Sequence, residues 1–132
     1  MINEIILGGL IYHIMYAPTL PFPAAIARPT IILKSDNHIN YMIGKNSINE
    51  AMAGIGYDIQ IASHPTLGSI NLKTGFYVQD ENKFEDLGIV TPLGCDIMPV
   101  IGFEFNIPYN DFFGVTTTIT PAITFTGIYF RF

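Results

Sequence analysis

The stretch "AGIGYDIQI", residues 53–61, decides which fold classes are open to this chain. Its large apolar side chains fall at every second position (55, 57, 59 and 61), and glycines, Asp58 and Gln60 fall between them. A period of two is typical of a β-strand with one apolar and one polar face. The stretch therefore predicts a strand and not a helix.

The same alternation recurs along the chain. In "PVIGFEFNI", residues 99–107, one face holds Ile101, Phe103, Phe105 and Ile107, and the opposite face holds Gly102, Glu104 and Asn106. Turn-forming residues separate eight such segments, at roughly 4–15, 28–35, 38–46, 50–61, 68–79, 89–107, 113–119 and 122–132. We therefore predict an all-β fold, an antiparallel up-and-down barrel of about eight strands, as a single β-barrel domain over residues 1–132.

Composition narrows the functional classes. Of the 132 residues, 49% are hydrophobic and 13% charged, which is about half the usual charged share. No apolar run approaches the ~20 residues of a spanning helix. The net charge of −5, with six scattered Lys and Arg, argues against a nucleic-acid partner. The single Cys95 fits neither an internal disulfide nor a zinc site, and the acidic "DENKFED", residues 80–86, lacks the glycine of a calcium loop. We expect no cofactor and no metal.

The polar faces of the predicted strands combine glycines with a few charges of both signs. A narrow eight-stranded lumen needs small residues and charges that pair across it. We therefore predict that the apolar face points outward, toward membrane lipid or neighbouring protein subunits. The predicted lumen network comprises His13, Asp58, Lys73, Glu104 and Arg131. A soluble sandwich or lipocalin-like barrel, with its apolar faces inside, has the same period and remains the alternative.

The connections differ in length. If the strands run up and down, the long connections at residues 17–29 and 80–88 share one end, and the short turns near Asp36, His64 and Tyr109 share the other. One end with long loops and one with tight turns is typical of outer-membrane barrels.

Both ends of the sequence bear on location. The last residues, "FTGIYFRF", resemble the assembly signal of outer-membrane barrels at Gly127, Phe130 and Phe132, with Phe125 in place of the usual polar residue. The first residues do not read as a secretory signal, because Glu4 stands where a basic region belongs. We expect either a bacterial outer-membrane protein whose signal was removed, or a phage protein of the virion or host cell.

Residues 72–132 resemble the C-terminal half of small outer-membrane barrels related to lipid A deacylases, a group with short phage-encoded relatives. The shared elements are Gly75–Phe76, Thr91–Leu93, "PVIGFEF" (residues 99–105) and the last hairpin. These elements cover about half the chain, and the resemblance implies a small barrel of the same kind.

The resemblance also implies one candidate catalytic site. Deacylases of that family use a serine activated by a histidine two residues before it, which a glutamate orients. In "SHPTLGS", residues 63–69, His64 and Thr66 stand at that separation, with threonine in place of serine. Pro65 favours a turn there, so a turn histidine is the competing interpretation.

Three functional hypotheses follow. The leading one is a non-enzymatic outer-membrane-type β-barrel with an apolar outer face, serving as a phage-encoded envelope or virion component. The second is an esterase acting on acyl groups of envelope lipid of the lipid A type. The third is a soluble, oligomeric β-barrel or sandwich with a structural role.

Overall fold

The computed structural model describes residues 1–14, 23–46, 49–79 and 96–132. Eight antiparallel strands form a closed barrel in which every strand pairs with its neighbours in the chain and β1 pairs with β8. This confirms the predicted all-β, up-and-down barrel. The strands are β1 (Ile2–His13), β2 (Ala25–Ser35), β3 (Ile39–Lys45), β4 (Ala51–His64), β5 (Gly68–Val78), β6 (Ile97–Pro108), β7 (Phe113–Ile119) and β8 (Ile123–Arg131). The described ranges hold no helix of the length and apolarity needed to cross a membrane.

Strand β4 differs from its predicted bounds. Its predicted end was residue 61, because "ASHPT" has the composition of a turn. In the structure the pairing with β5 shifts by one residue between Gln60 and Ala62 and then continues to His64, opposite Gly68. The turn is confined to residues 65–67. The ladder to β5 therefore overrides the local turn preference.

Several predicted features lie outside the described residues. They are the first part of the predicted sixth strand (89–95), the acidic residues 80–86, Thr91–Leu93, Cys95 and most of the proline-rich connection after β1.

Up-and-down order places the connections alternately at the two ends of the barrel. The turns at residues 36–38, 65–67 and 109–112 share one end with Met1 and Phe132, and we call it the short-turn end. The connections after β1, β3, β5 and β7 share the other, which we call the long-loop end. The barrel order therefore places the two long connections at one end, as predicted, but that end also holds the short β7–β8 turn at residues 120–122.

The two faces of the wall differ sharply in polarity. Each of the eight strands exposes at least one large apolar side chain, including Leu7, Ile31, Ile43, Ile55, Phe76, Ile101, Val115 and Ile128. Of the eight charged residues within the strands, seven share the parity of the lumen-facing positions. The exception is Lys45, the last residue of β3. The apolar face therefore points outward and the charges point inward.

The lumen also contains large apolar side chains beside its charges. Ile6, Ile32 and Tyr129 form a buried cluster, and Met42 and Phe125 pack against it. An eight-stranded barrel is just wide enough for its own side chains to fill it. This apolar layer therefore shares the lumen with the predicted glycines and charges, and the sequence analysis did not anticipate Ile6 and Ile32 there.

Candidate functional site

Four ionisable side chains from four strands meet inside the barrel, and we call them the charge cluster: Lys34 of β2, Asp58 of β4, Lys73 of β5 and Glu104 of β6. Lys34 Nζ lies 2.9 Å from Asp58 Oδ2 and donates to Glu104 Oε1. Lys73 Nζ lies 3.1 Å from Asp58 Oδ1 and 3.1 Å from Glu104 Oε2. Each ammonium therefore contacts both carboxylates, and the cluster is electrically neutral.

Strand pairing positions this cluster. Asp58 lies directly opposite Lys73 across the β4–β5 ladder, and both share the lumen-facing parity. Lys34 and Glu104 belong to strands that are not neighbours, so they reach each other across the lumen. All four side chains are buried, and Glu104 is wholly inaccessible to solvent. Such charges are tolerated in a narrow interior because each has partners of opposite sign.

Three asparagine amides complete the cluster. Asn40 Nδ2 donates to Asp58 Oδ1 at 3.0 Å. Asn71 and Asn106 donate to Glu104 Oε1 at 3.1 and 3.3 Å. Each carboxylate oxygen of the cluster therefore lies close to an ammonium group of the protein itself, and Glu104 Oε2 is held by the ion pair with Lys73 without a well-aligned hydrogen bond. This arrangement suits a structural ion-pair network better than a catalytic acid or base, which must be free to exchange a proton with a substrate.

A second ion pair continues the network toward the short-turn end. Arg131 Nε donates to Glu4 Oε2 at 2.8 Å, and Glu4 Oε1 lies 3.8 Å from Lys34 Nζ. The Arg131 guanidinium also lies 4.7 Å from the centre of the Tyr129 ring. A polar cavity of about 210 Å³ opens beside these residues. The sequence interpretation did not include Glu4: parity with Gly8 points inward, but parity with Ile6 points outward under the same rule, so the local pattern was ambiguous.

His13 lies apart from the charge cluster. Its Nδ1 is 2.9 Å from the Ala24 carbonyl oxygen, at the long-loop end. His13 lies nine positions after Glu4 on β1, roughly 30 Å away at the rise of an extended strand. Of the predicted lumen network, the structure therefore brings Asp58, Lys73 and Glu104 into contact and links Arg131 to them through Glu4. It does not bring His13 to them, because His13 lies at the opposite end of β1 from Glu4.

The predicted catalytic pair His64 and Thr66 lies in the β4–β5 turn at the short-turn end, and both residues are exposed. Thr66 Oγ1 is 3.1 Å from His64 Nδ1. The same nitrogen accepts the backbone N–H groups of Thr66 and Leu67, each at 3.2 Å. Within the described part of the chain, no carboxylate contacts this histidine to orient it. The imidazole thus closes the turn, and its lone pair is shared with two amides instead of being reserved for a hydroxyl proton.

The described residues also contain no group of three or more His, Cys, Asp or Glu arranged to hold a metal ion. No known family model, curated protein or solved structure matches the chain. The resemblance to barrels related to lipid A deacylases, and with it the esterase hypothesis, therefore stays a prediction.

Proposed function

We propose that this chain is a non-enzymatic barrel of the outer-membrane type, which presents its apolar face to surrounding lipid. The observation that carries the proposal is the inversion of polarity across the wall. Apolar side chains are exposed on all eight strands, while seven of the eight strand charges share the inward parity. Transmembrane barrels alternate in this way, with apolar residues outward and polar residues inward.

Water is a poor environment for such a surface. Soluble monomers rarely expose a contiguous apolar patch larger than a few hundred Å². Here exposed apolar side chains surround the barrel on every strand, and we call them the apolar belt. The apolar belt must therefore be covered by lipid or by another protein. We propose that membrane lipid covers it. The competing hypothesis is that neighbouring subunits of a virion or an oligomer cover it.

The filled lumen favours a structural barrel over an open channel. The charge cluster and the apolar cluster of Ile6, Ile32 and Tyr129 both occupy the interior. Wide aqueous lumens belong to barrels with many more strands. The proposed role is therefore that of an envelope component without a water-filled pore.

The test compares the same substitution at two exposed leucines. Leu7→Arg places a charge midway along β1, whereas Leu67→Arg places it in the β4–β5 turn. In a lipid-covered barrel, an arginine at mid-bilayer costs about 2–4 kcal/mol and one near the interface costs about 0–1 kcal/mol. We therefore expect Leu7→Arg to lower folding into lipid vesicles by roughly 30-fold or more, and Leu67→Arg to leave it nearly unchanged.

The detergent dependence of the unmodified chain distinguishes a lipid-covered belt from a protein-covered one. We expect the purified protein to require detergent and to migrate differently on an SDS gel before and after heating. A chain that stays soluble without detergent, shows no heat-dependent shift and tolerates Leu7→Arg would refute the membrane proposal and favour a protein cover.

A further inference from the structure

Strand β4 extends well beyond its neighbour β3. It has 14 residues, whereas β3 has seven. Their ladder ends at the pair Ile39↔Tyr57, followed by one more hydrogen bond from Asp58 N to His38 O at 3.0 Å. The remaining residues of β4, Ile59–His64, have a neighbouring strand on the β5 side only, and Ile61 is the unpaired residue of the register shift. We call this stretch the free edge.

Backbone hydrogen-bonding groups of the free edge point to an unoccupied side. Because the N–H of Asp58 points toward β3 and the direction alternates with each residue, the N–H and C=O of Gln60 point the same way. The described part of the chain places no strand on that side of Gln60. All six residues of the free edge are exposed, and the three turns of the short-turn end, all of which are described, leave them uncovered.

Natural sheet edges are usually protected against pairing by lysine, proline, short strands or bulges. The sequence of the free edge, "IQIASH", contains neither lysine nor proline. Its single protective feature is the shift in register between Gln60 and Ala62. The stretch is therefore a template on which another strand can hydrogen-bond.

We propose that the free edge of β4 binds an extended segment of a partner protein by strand addition. The segment would alternate in polarity: Ile59 is exposed on the outer apolar face, whereas Gln60 lines the polar cavity at the short-turn end. A second copy of this chain fits less well as the occupant. Antiparallel pairing of two free edges would orient the two barrels in opposite directions. The free edge follows from strand lengths alone, but the preference for a partner protein over a second copy rests on the proposed lipid cover, because copies of one barrel in a membrane share one orientation.

The test uses a synthetic peptide as the probe. Capped and fluorescently labelled Ser-Ile-Asn-Leu-Lys-Thr copies residues 69–74, which pair with β4 on its other side in the intact barrel. Gln60→Pro removes the N–H at the free edge without removing a bond of the β5 ladder. Gln60→Thr keeps that N–H and is the matched control. Since one backbone hydrogen bond contributes about 1 kcal/mol, Gln60→Pro should weaken the peptide about fivefold to tenfold in fluorescence anisotropy, and Gln60→Thr should not.

A second measurement needs no variant. In the intact chain, the peptide should slow hydrogen exchange of the Gln60 amide while leaving the amides of β1 unchanged. Absence of peptide binding, equal binding to the Pro and Thr variants, or an unprotected Gln60 amide would each overturn the proposal. So would a dimer that forms through this edge in place of the peptide complex, since the occupant would then be a second copy.

Discussion

The sharpest consequence of the charge cluster concerns Glu104. Its carboxylate contacts both Lys34 and Lys73 and is wholly buried. Glu104→Gln keeps the size of the side chain but leaves Lys34 and Lys73 with Asp58 as their one close carboxylate, because Glu4 lies 3.8 Å from Lys34 and is paired with Arg131. Removing one partner of a buried ion pair costs about 3–5 kcal/mol, because the remaining charge is buried without compensation.

Removing one charge of each sign should cost less stability than the two single substitutions cost together. In the double variant Glu104→Gln/Lys73→Gln, Lys34 and Asp58 remain 2.9 Å apart and the cluster stays neutral. We therefore expect the double variant to lose less stability than the sum of the two single variants, with a coupling energy of at least about 1 kcal/mol.

Urea unfolding followed by far-UV circular dichroism measures both quantities, in whichever medium keeps the protein folded. For a urea m-value of about 2 kcal/mol/M, Glu104→Gln should lower the unfolding midpoint by about 2 M. A shift below about 0.5 M, or strictly additive losses in the double variant, would show that the four side chains do not form the neutral cluster on which the reasoning depends.

Two further outcomes test neighbouring contacts in the same unfolding assay. Arg131→Gln should cost only about 1 kcal/mol, because its side chain is 45% exposed where it meets Glu4; a loss as large as that of Glu104→Gln would contradict this. Gly114→Ala would press a methyl group against the carbonyl of Ile107 and should cost about 1–3 kcal/mol. The less crowded Gly127→Ala should cost less, and the reverse order would count against the packing argument.

Local patterns were sufficient for the wall of the barrel. A period of two assigns each residue of a strand to one face, so the alternation around Asp58, Lys73 and Glu104 already placed these charges on the face opposite the apolar side chains. Turn-forming residues divided the chain into eight segments, which led to the up-and-down order. These features depend on residues that are close together in the sequence.

The height of each residue along the barrel was decided by tertiary structure. Glu4 meets Arg131 across 127 positions of the chain, and Lys34 meets Glu104 across 70. The sequence interpretation put His13 in the same lumen but did not show that it lies at the far end of β1, where it faces inward because the strand shifts register between Gly8 and Leu10. The position of each strand is set by its register with its neighbours when the barrel closes. That register is a property of paired strands, and the alternation within one strand does not contain it.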